Sequence, residues 1–312
     1  MELSIVVSTF NRARDLKSFI DSILAMNDPH GRGWELIVVD NNSTDDTRDV
    51  VLAAEAAFPL QIRYLFEPRQ GKSFGLNTGL TATQGHILAF TDDDAIIPTN
   101  WAASIIDFFE RNASAACVGG QVVLHNPDDA PTSIRTSATP GMTAWRQFSA
   151  ENIPIIGCNM AFRASLIREI GAFDVDIGPG SKFGVAEDLD YLYRIVRAGH
   201  PIYYEPSISL RHNHGRRTAS DLARLEFNYA TGRGAFYAKF CAMGDRQALR
   251  LAWWELRKHL RLAMLFTPFS VASRLEFKFL ATFIKGAFRY LALRKPQSLP
   301  NPMLERARSV HP

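Results

Sequence analysis

The chain has 312 residues, of which 46% are hydrophobic and 21% charged, and its formal net charge is +3. This composition is that of an ordinary globular protein, so it excludes intrinsic disorder, collagen-like repeats and low-complexity scaffolds. The length fits two domains or one large α/β domain with an appended segment. The three cysteines have no Cys-x-x-Cys spacing, which argues against a disulfide framework or structural zinc and favours a reducing cytosol.

The sequence predicts neither a secretory leader nor a membrane-spanning helix. Its first residues lack the basic region and the long apolar stretch of a signal peptide. A spanning helix needs about 20 nearly uncharged residues, whereas the longest candidate, at 262–273, has twelve. We therefore expect a cytoplasmic protein.

Charge is distributed unevenly along the chain. Residues 246–312 contain thirteen Lys or Arg and three Glu, a net charge of +10, whereas residues 1–245 carry −7. An acidic front and a basic, aromatic-rich end suggest two separate tasks, with an anionic surface as one partner. The alternative is that these basic residues only solvate a helical face.

Apolar runs that favour strands alternate with amphipathic helical stretches in the first part of the chain. Strict alternation predicts βαβ units and a mainly parallel sheet, and the polar segment 126–140 reads as a surface loop. Ser43 and Asp46 form a variant of the capping box before the second helix. We expect strands at 3–10, 36–39, 62–66, 87–90, 117–124 and near 202–204, and helices at 13–26, up to 57, 73–82, 101–109 and 187–198.

Polar side chains follow the predicted strands at the points where the strands end. Asn11, Asp40 and the run Asp92 to Asp94 occupy such positions. Because ligands bind at the carboxyl ends of the strands in sheets of this kind, the sequence predicts a ligand site at this edge.

Several nucleotide and hydrolase motifs are excluded by spacing. Gly71-Lys72-Ser73 resembles the end of a P-loop, but Phe66 stands where that loop requires Gly. The glycines at 178 and 180 would need a third at 183 for a dinucleotide fingerprint, and Phe183 stands there. Neither Gly-x-Ser-x-Gly nor His-Glu-x-x-His occurs. P-loop enzymes, classical dehydrogenases, serine hydrolases and zincins are therefore disfavoured.

Three adjacent carboxylates, Asp92, Asp93 and Asp94, follow an apolar strand. They repel one another unless a cation or strong donors compensate, and hard oxygen ligands suit Mg²⁺ or Mn²⁺. The alternative is an Asp-rich start of the helix at Trp101, but three in a row exceed what a cap needs. We interpret the run as a metal and phosphate site.

Two further clusters lie downstream. Glu187-Asp188 stands at a predicted helix start, where carboxylates are common capping groups, but the preceding glycine-rich segment 178–184 makes the pair a candidate general base. Arg211-His212-Asn213-His214, placed after the strand near 202–204, offers two histidines at i and i+2. They are either metal ligands or satisfied structural residues.

In this order, these elements resemble the family 2 glycosyltransferases, which have the GT-A fold. The run 7–12 is similar to the family's first strand and nucleotide loop, and 38–45 to its second, where an Asp contacts the nucleotide base. Gly71-Lys72-Ser73 with Asn77 and Gly79 is similar to the segment before the metal site. The nucleotide-binding residues that the resemblance implies are Thr9, Phe10, Asn11, Arg12, Asp40, Asn42, Gly71, Lys72, Asn77 and Asp92.

The run 91–94 stands at the family's metal-binding acidic motif, with Thr91 in place of the usual first Asp. The resemblance implies Asp93 as the likeliest direct ligand, with Asp94, and a site completed by His212. Glu187-Asp188 matches the motif of the catalytic base, which we assign to Asp188. The match covers roughly residues 1–215.

The resemblance implies a GT-A catalytic domain over 1–215, with a nucleotide-sugar half at 1–125, an acceptor half at 126–215 and a helical extension at 216–312. It implies an inverting transfer, dependent on Mn²⁺ or Mg²⁺, from a nucleotide-diphosphate sugar to a hydroxyl of a glycan or lipid-linked acceptor in polysaccharide or glycolipid biosynthesis. The Gln-x-x-Arg-Trp motif of processive members does not occur, so we expect one sugar, or a few, per encounter.

Two alternatives remain open. A sugar nucleotidyltransferase would want a Gly-rich, basic phosphate loop after the first strand, where 9–12 reads Thr-Phe-Asn-Arg. An inactive glycosyltransferase-like subunit of a membrane-associated assembly would be favoured by loss of the acidic motif or the base, and both are present.

The segment 247–293 mixes aromatic and leucine side chains with interspersed Lys and Arg. This profile is typical of helices that lie on anionic lipid, where each basic residue contributes about 1 kcal/mol. We expect peripheral attachment to the inner face of the plasma membrane and no nucleic-acid partner. The alternative is that these helices pack on the catalytic domain or form an oligomer interface.

Overall fold

The computed structural model describes residues 1–27, 31, 33–59, 61–150, 153–265 and 270–294. Within these ranges, one mixed sheet of nine strands is accompanied by nine α-helices. The strands are β1 (Leu3–Thr9), β2 (Trp34–Asp40), β3 (Ile62–Phe66), β4 (Ile87–Phe90), β5 (Ala95–Ile96), β6 (Cys117–Leu124), β7 (Gly141–Thr143), β8 (Met160–Arg163) and β9 (Ile202–His212). The helices are α1 (Ala13–Leu24), α2 (Thr47–Ala57), α3 (Lys72–Ala82), α4 (Trp101–Arg111), α5 (Leu166–Ile170), α6 (Glu187–Arg197), α7 (Ala219–Ala242), α8 (Arg246–Leu265) and α9 (Val271–Leu293).

The strand order is β3-β2-β1-β4-β8-β6-β9-β5, with β7 paired to β9. The four strands β3, β2, β1 and β4 are mutually parallel, as expected for successive βαβ units. β8 runs antiparallel to both of its neighbours, β4 and β6, whereas β6 and β9 are again parallel. This architecture confirms the predicted α/β class and brings the ends of β1, β2 and β4 to one edge of the sheet.

The sheet is buried on both faces. Ile5 and Val7 of β1 pack with α1 and α4, whereas Val6 between them packs with α3 and α6. Alternate strand residues point to opposite faces, so strands covered on both sides read as continuous apolar runs. This is why β1, β2 and β4 were recognisable in the sequence.

The strand β9 is longer than predicted. It extends through His212, which the sequence analysis placed after the strand, and it contains Pro206. Proline cannot donate to the ladder and so marks an edge or a bulge. The register between β6 and β9 shifts between Gly120 and Gln121 of β6, and this bulge accommodates the proline and lets the strand continue.

The capping box predicted at Ser43 and Asp46 is wrong. The N-cap residue Asp46 of α2 makes no side-chain cap hydrogen bond. Asp45 acts instead, because its Oδ1 accepts from the backbone N–H of Thr47 at 3.1 Å. Ser43 faces the neighbouring loop, where its Oγ accepts from the backbone N–H of Asn11 at 2.9 Å.

The helices α8 and α9 pack on α7, and α9 also reaches the part of the chain that precedes α7, where the ring of Tyr290 lies 5.1 Å from that of Phe183. α9 crosses α7 so closely that a Cβ at Gly286 would lie 2.3 Å from the carbonyl oxygen of Thr231. Phe279 and Phe283 of α9 are buried. One face of this extension therefore packs on the rest of the protein, which is the alternative to membrane contact that the sequence left open.

The opposite faces of α8 and α9 remain exposed and apolar. The exposed side chains include Trp253 at 60%, Phe288 at 69% and Leu265 at 79%. A search of the described helices finds none with the length and apolarity needed to cross a bilayer. Of the segments for which we expected membrane contact or a helical extension, residues 266–269 and 295–312 lie outside the described residues.

Candidate active site

Three adjoining cavities lie at the carboxyl edge of the parallel strands. The strand-end cavity, of about 280 Å³, is lined by Thr9, Phe10, Asn41, Gln70, Gly71 and the acidic run 92–94, among others. The central cavity, of about 460 Å³, is lined by Cys158, Glu187, Asp188 and α7 residues such as Asn228 and Tyr229. The outer cavity, of about 320 Å³, lies beyond Asp188 and is lined by Ile134, Ile153, Ile155, Leu189, Tyr229 and Arg233, among others.

The cavities are joined by shared side chains. Asp188 lines both the central and the outer cavity. The strand-end and central cavities share six residues, namely Arg12, Lys72, Asp92, Pro179, His212 and Arg216. The acidic motif and the base motif, 95 positions apart in sequence between Asp93 and Asp188, therefore face one continuous space.

Arg12 binds two of the three adjacent aspartates. Its Nη1 lies 2.9 Å from Oδ1 of Asp93 and 2.7 Å from Oδ2 of Asp94, and the hydroxyl of Thr9 donates to the other oxygen of Asp93 at 2.7 Å. Burial raises the pKa of Asp93 to about 6, against the opposing charge of Arg12. Arg12 thus supplies the compensation that a run of carboxylates requires.

His212, the last residue of β9, lies beside Asp94. Its Nε2 is 3.1 Å from Oδ1 of Asp94, and its Nδ1 is 3.2 Å from the carbonyl oxygen of Ser133. Burial alone would lower the pKa of His212, but the hydrogen bond to Asp94 and its charge raise it. Burial would raise the pKa of Asp94, but the hydrogen bonds and charges of His212 and Arg12 lower it.

Among the described residues, one group of metal-ligating side chains has its donor atoms within 4.8 Å of one another, and it comprises Asp92, Cys158 and His212. Burial and the nearby charge of Asp92 raise the pKa of Cys158 well above its ordinary value. Mg²⁺ and Mn²⁺ prefer oxygen ligands such as carboxylates, which Asp92 offers. His212 would have to exchange the contact of Nε2 with Asp94 for a cation, and both carboxylate oxygens of Asp93 already accept from Thr9 and Arg12.

Lys72, at the start of α3, connects the acidic motif with the base motif. Its Nζ lies 2.5 Å from Oδ1 of Asp92 and 3.5 Å from Oε1 of Glu187. Burial would lower the pKa of Lys72, but the charges of Asp92 and Glu187 raise it well above its ordinary value. The lysine is therefore a fixed positive charge between the two motifs.

The base motif stands at the first turn of α6. Oδ2 of Asp188 accepts a hydrogen bond from the backbone N–H of Gly157 at 3.3 Å, and its Oδ1 accepts from the N–H of Leu189 at 2.7 Å. Burial raises the pKa of Asp188, and it raises that of Glu187 to about 7, with Lys72 opposing both shifts. A carboxylate with a raised pKa and a fixed orientation is suited to accept a proton near neutral pH.

Four residues proposed for nucleotide binding do not line these cavities, namely Asn11, Asp40, Asn42 and Asn77. Asp40 is buried and accepts from the backbone N–H of Ser43 at 2.8 Å and from the hydroxyl of Tyr64 at 2.9 Å. Asn77 binds the backbone of Phe173 through both of its amide atoms, each at 2.9 Å. In this structure the side chains of Asp40 and Asn77 brace the loops around the cavities.

The sequence analysis did not single out several lining residues. Arg216 and Asn228 lie on the connection after β9 and on α7, outside the span that the motifs covered. Asn41 and Gln70 line the strand-end cavity, and Asn41 also accepts from the backbone N–H of Gly71 at 2.8 Å. Asn41 follows Asp40 directly, so its position was a usable signal, whereas nothing local marked Arg216.

A mostly parallel α/β sheet whose strand ends present an acidic run opposite a buried carboxylate is the arrangement that the resemblance to GT-A glycosyltransferases implies, and comparison with known proteins supports this class. The model of glycosyl transferase family 2 matches residues 4–171, more than half of the chain. This chain therefore belongs to glycosyltransferase family 2.

Relatives support the same class. An uncharacterized glycosyltransferase of Nostoc sp. is 32% identical over 112 residues, which are 36% of this chain and 34% of that protein. The succinoglycan biosynthesis protein ExoM of Rhizobium meliloti is 27% identical over 256 residues, 81% of this chain and 80% of that protein. This chain thus spans about a third of the first relative and four fifths of the second.

The fold is that of solved GT-A enzymes. The mannosyltransferase PcManGT from Pyrobaculum calidifontis, solved in complex with GDP-Man and Mn²⁺, has a TM-score of 0.62 and 20% identity and covers 91% of this chain and 86% of its own. The predicted GT-A fold is confirmed by this similarity.

Proposed function

We propose that this glycosyltransferase is a metal-dependent, inverting enzyme that moves a sugar from a nucleotide-diphosphate sugar to an acceptor hydroxyl in polysaccharide or glycolipid biosynthesis. The observation that carries the proposal is that Asp92, His212 and Asp188 line one cavity of about 460 Å³. That space has donors for a cation at one side and a carboxylate base at the other. The relatives described above favour neither a nucleotidyltransferase nor an inactive subunit.

The donor nucleotide is placed in the strand-end cavity, between the nucleotide-sugar half at 1–125 and the acceptor half at 126–215. Phe10, which is 45% exposed, offers a ring face for stacking a base, and Asn41 and Gln70 line the same space. Asn11, Asp40 and Asn42 shape the loop beneath the base. The nucleotide complex of the archaeal mannosyltransferase supports a donor of this kind.

The donor set fits a divalent cation, Mn²⁺ or Mg²⁺, on chemical grounds. We assign Asp92 and His212 as ligands. The contact of Nδ1 with the carbonyl oxygen of Ser133 orients the ring of His212, and its Nε2 would exchange the contact with Asp94 for the cation. This assignment moves the direct ligand from Asp93 to Asp92, because Arg12 and Thr9 occupy the oxygens of Asp93. When bound, the cation neutralises charge on a departing diphosphate as a Lewis acid.

Asp188 acts as the general base. Its carboxylate accepts the proton of the acceptor hydroxyl while that oxygen forms a bond to the anomeric carbon, and the bond from this carbon to the diphosphate oxygen breaks on the opposite side. A single displacement of this kind inverts the configuration and needs only one carboxylate, unlike a glycosidase with two flanking the bond. The outer cavity beyond Asp188 receives the acceptor.

The exposed faces of α8 and α9 bind an anionic membrane. Exposed rings such as Trp253, Trp254 and Phe288 are interspersed with basic residues, and residues 246–312 carry a net charge of +10. Aromatic rings combined with Lys and Arg favour the interface of an anionic bilayer. Attachment at the inner face of the plasma membrane would bring a lipid-linked acceptor to the enzyme.

Donor binding tests the proposal. We would titrate UDP-, GDP- and dTDP-sugars by calorimetry, each with and without MnCl₂ or MgCl₂, into the protein and into Asp92→Ala and His212→Ala. We expect one nucleotide class to bind with metal and to bind far more weakly without it or in either variant. Equal binding with a chelator present, or in both variants, would contradict the metal assignment. The anomeric configuration of the product, read by NMR, tests inversion.

A further inference from the structure

We propose that Arg216 binds the diphosphate of the donor nucleotide and so acts directly on the leaving group. This inference rests on the proposed function and adds a residue that the family motifs do not assign. The evidence is the position of Arg216, the pairing of its neighbours and the way its backbone is held.

Arg216 stands where a diphosphate would lie. Three cationic side chains, Arg12, Lys72 and Arg216, line both the strand-end and the central cavity. A diphosphate that joins a nucleoside in the strand-end cavity to a sugar beside Asp188 must cross the boundary between these cavities. All three cations are therefore within the space that the leaving group would occupy.

The three cations differ in their partners. Arg12 is bound to Asp93 and Asp94, and Lys72 to Asp92 and Glu187. Within the described part of the chain, Arg216 makes no ion pair with a carboxylate, and its Nη1 is buried without a hydrogen-bond partner. A buried guanidinium nitrogen without an acceptor is costly, and a bound anion removes that cost.

The backbone at Arg216 is fixed before any ligand binds. The N–H of Arg216 donates to Nδ1 of His214 at 3.0 Å, and its carbonyl accepts from the N–H of Ala130 at 2.8 Å. On either side, Asp129 accepts from the N–H of Gly215 at 3.0 Å and from Nε of Arg217 at 2.8 Å. Such a braced segment can hold an arginine in place at low entropic cost.

The chemistry of the side chain favours a phosphate. A guanidinium offers a planar fork of donors that matches phosphate oxygens in pairs, whereas an ammonium acts as a point charge. Arg12 and Lys72 already neutralise aspartates of the site, so Arg216 is, of the three cations that line both cavities, the one whose charge is available to balance a diphosphate. The interaction between Arg216 and the diphosphate would be strengthened as charge develops on the leaving group.

The test compares nucleoside diphosphates with the nucleosides that lack the charge. We would measure by calorimetry, in MnCl₂, the affinity of UDP, GDP, dTDP, the matching nucleosides and inorganic pyrophosphate. The proteins are wild type, Arg216→Ala, Arg216→Lys and the control Arg211→Ala, an exposed arginine of β9. Thermal unfolding of each variant checks that it is folded. If Arg216→Ala does not fold, the comparison with the wild type is made with Arg216→Lys.

We expect Arg216→Ala to weaken binding of the diphosphate of the preferred nucleotide by about 10- to 100-fold, because the substitution removes charge-assisted hydrogen bonds to a charged ligand. We expect Arg216→Lys to weaken binding of the diphosphate less. The affinity for the nucleoside should be the same in every variant, and Arg211→Ala should bind the diphosphate as the wild type does. Equal diphosphate affinity in wild type and both Arg216 variants would overturn this inference while leaving the donor proposal standing. Binding of no diphosphate by the wild-type protein would overturn both.

Discussion

The Nζ atom of Lys72 lies 3.5 Å from Oε1 of Glu187 and 2.5 Å from Oδ1 of Asp92. Two acidic motifs that are far apart in sequence thus share one cation at the edge of the sheet. Without it, Asp92, Glu187 and Asp188 would face one another as uncompensated carboxylates in a largely buried site. Lys72 therefore holds the cavity together electrostatically as well as lining it.

Replacing Lys72 should enlarge the effect of a change at Glu187. Breaking a buried ion pair by removing one partner costs about 3–5 kcal/mol, and we expect Lys72→Met near the low end because Lys72 and Asp92 keep 21% and 27% exposure. The pKa of Glu187 is raised to about 7 in the folded state, so at pH 8 its buried charge opposes folding. Glu187→Gln should therefore raise the free energy of unfolding in the wild-type background, and raise it more beside Lys72→Met, where the lysine no longer offsets that charge. Urea unfolding of the four proteins at pH 8 measures this.

A matched control is Lys17→Met, which removes an exposed pair with Asp21 at 2.8 Å. Such surface pairs are worth about 0–1 kcal/mol. If the effects of Lys72→Met and Glu187→Gln simply add, the two side chains are not coupled and this view of Lys72 fails.

Gly157→Ala should displace the base. A Cβ at this position would lie 2.8 Å from Cβ of Asp188 and 3.0 Å from its Oδ2, so the aspartate must move. A misplacement of about 1 Å costs about 100-fold in rate, whereas donor affinity should persist. Gly141→Ala is the control, since nothing lies within 4 Å of its added Cβ. Full activity in Gly157→Ala would show that the position of Asp188 is not critical.

Stability at acid pH should depend on Asp190. Burial would raise its pKa, but the charges of Lys239 and Arg194 lower it below 3.8, and Nε of Arg194 lies 2.9 Å from its Oδ2. A carboxyl group with a lower pKa in the folded state stabilises that state above its unfolded pKa, and the contribution is lost as pH falls through the folded pKa. The ion pair of Asp190 with Lys239 joins α6, which carries the base, to α7.

We expect Asp190→Asn to lower the free energy of unfolding at pH 7 by about 3–5 kcal/mol, the usual effect of leaving buried cations unpaired. The difference from wild type should shrink as the pH is lowered below about 4, because wild-type Asp190 then becomes protonated as well. Urea unfolding of both proteins between pH 7 and pH 3 gives this difference directly. A gap that stays constant over that range would rule out Asp190 as its source.

Membrane binding should depend on exposed rings of the extension. Burying an aromatic side chain contributes about 1.5–3 kcal/mol, so Trp253→Ser and Phe288→Ser should each lower partitioning into vesicles by about tenfold. Sedimentation with phosphatidylcholine and phosphatidylglycerol vesicles measures it, and binding should weaken in high salt. Phe58→Ser, which changes a ring that is 40% exposed elsewhere, is the control. Equal partitioning of all proteins, or a lipid-free change of oligomeric mass in the two variants, would contradict membrane attachment.

Much of the fold was readable in the sequence because buried parallel strands leave continuous apolar runs and the site lies where they end. Asp92 and Asp188 were singled out in this way, from their places after a strand and at a helix start, whereas Thr9 was implied only by the family resemblance. The role of Asp40 was not readable, because both a nucleotide and a neighbouring loop can use a carboxylate at that position. In the structure the carboxylate of Asp40 accepts hydrogen bonds from Tyr64 and Ser43 of the neighbouring strand and loop.

Arg216 could not have been found from local pattern. It lies in the cavity because Asp129, 86 residues before Gly215, accepts from the N–H of Gly215 and holds the segment after β9. Pro206 hid the second half of β9 in a similar way, since only the bulge opposite Gly120 lets the strand continue past a proline. Both features depend on long-range contacts, which single-sequence periodicity does not record.

The most direct test of the account is Asp188→Asn, which keeps the shape of the side chain and removes its ability to accept a proton. Release of nucleoside diphosphate from the bound donor and transfer to glycan acceptors would be measured beside donor affinity, with the exposed Asp128→Asn as control. General-base catalysis contributes about 10²–10⁴-fold. We expect a rate loss in that range with donor affinity unchanged, whereas near-wild-type turnover in Asp188→Asn would contradict the central claim.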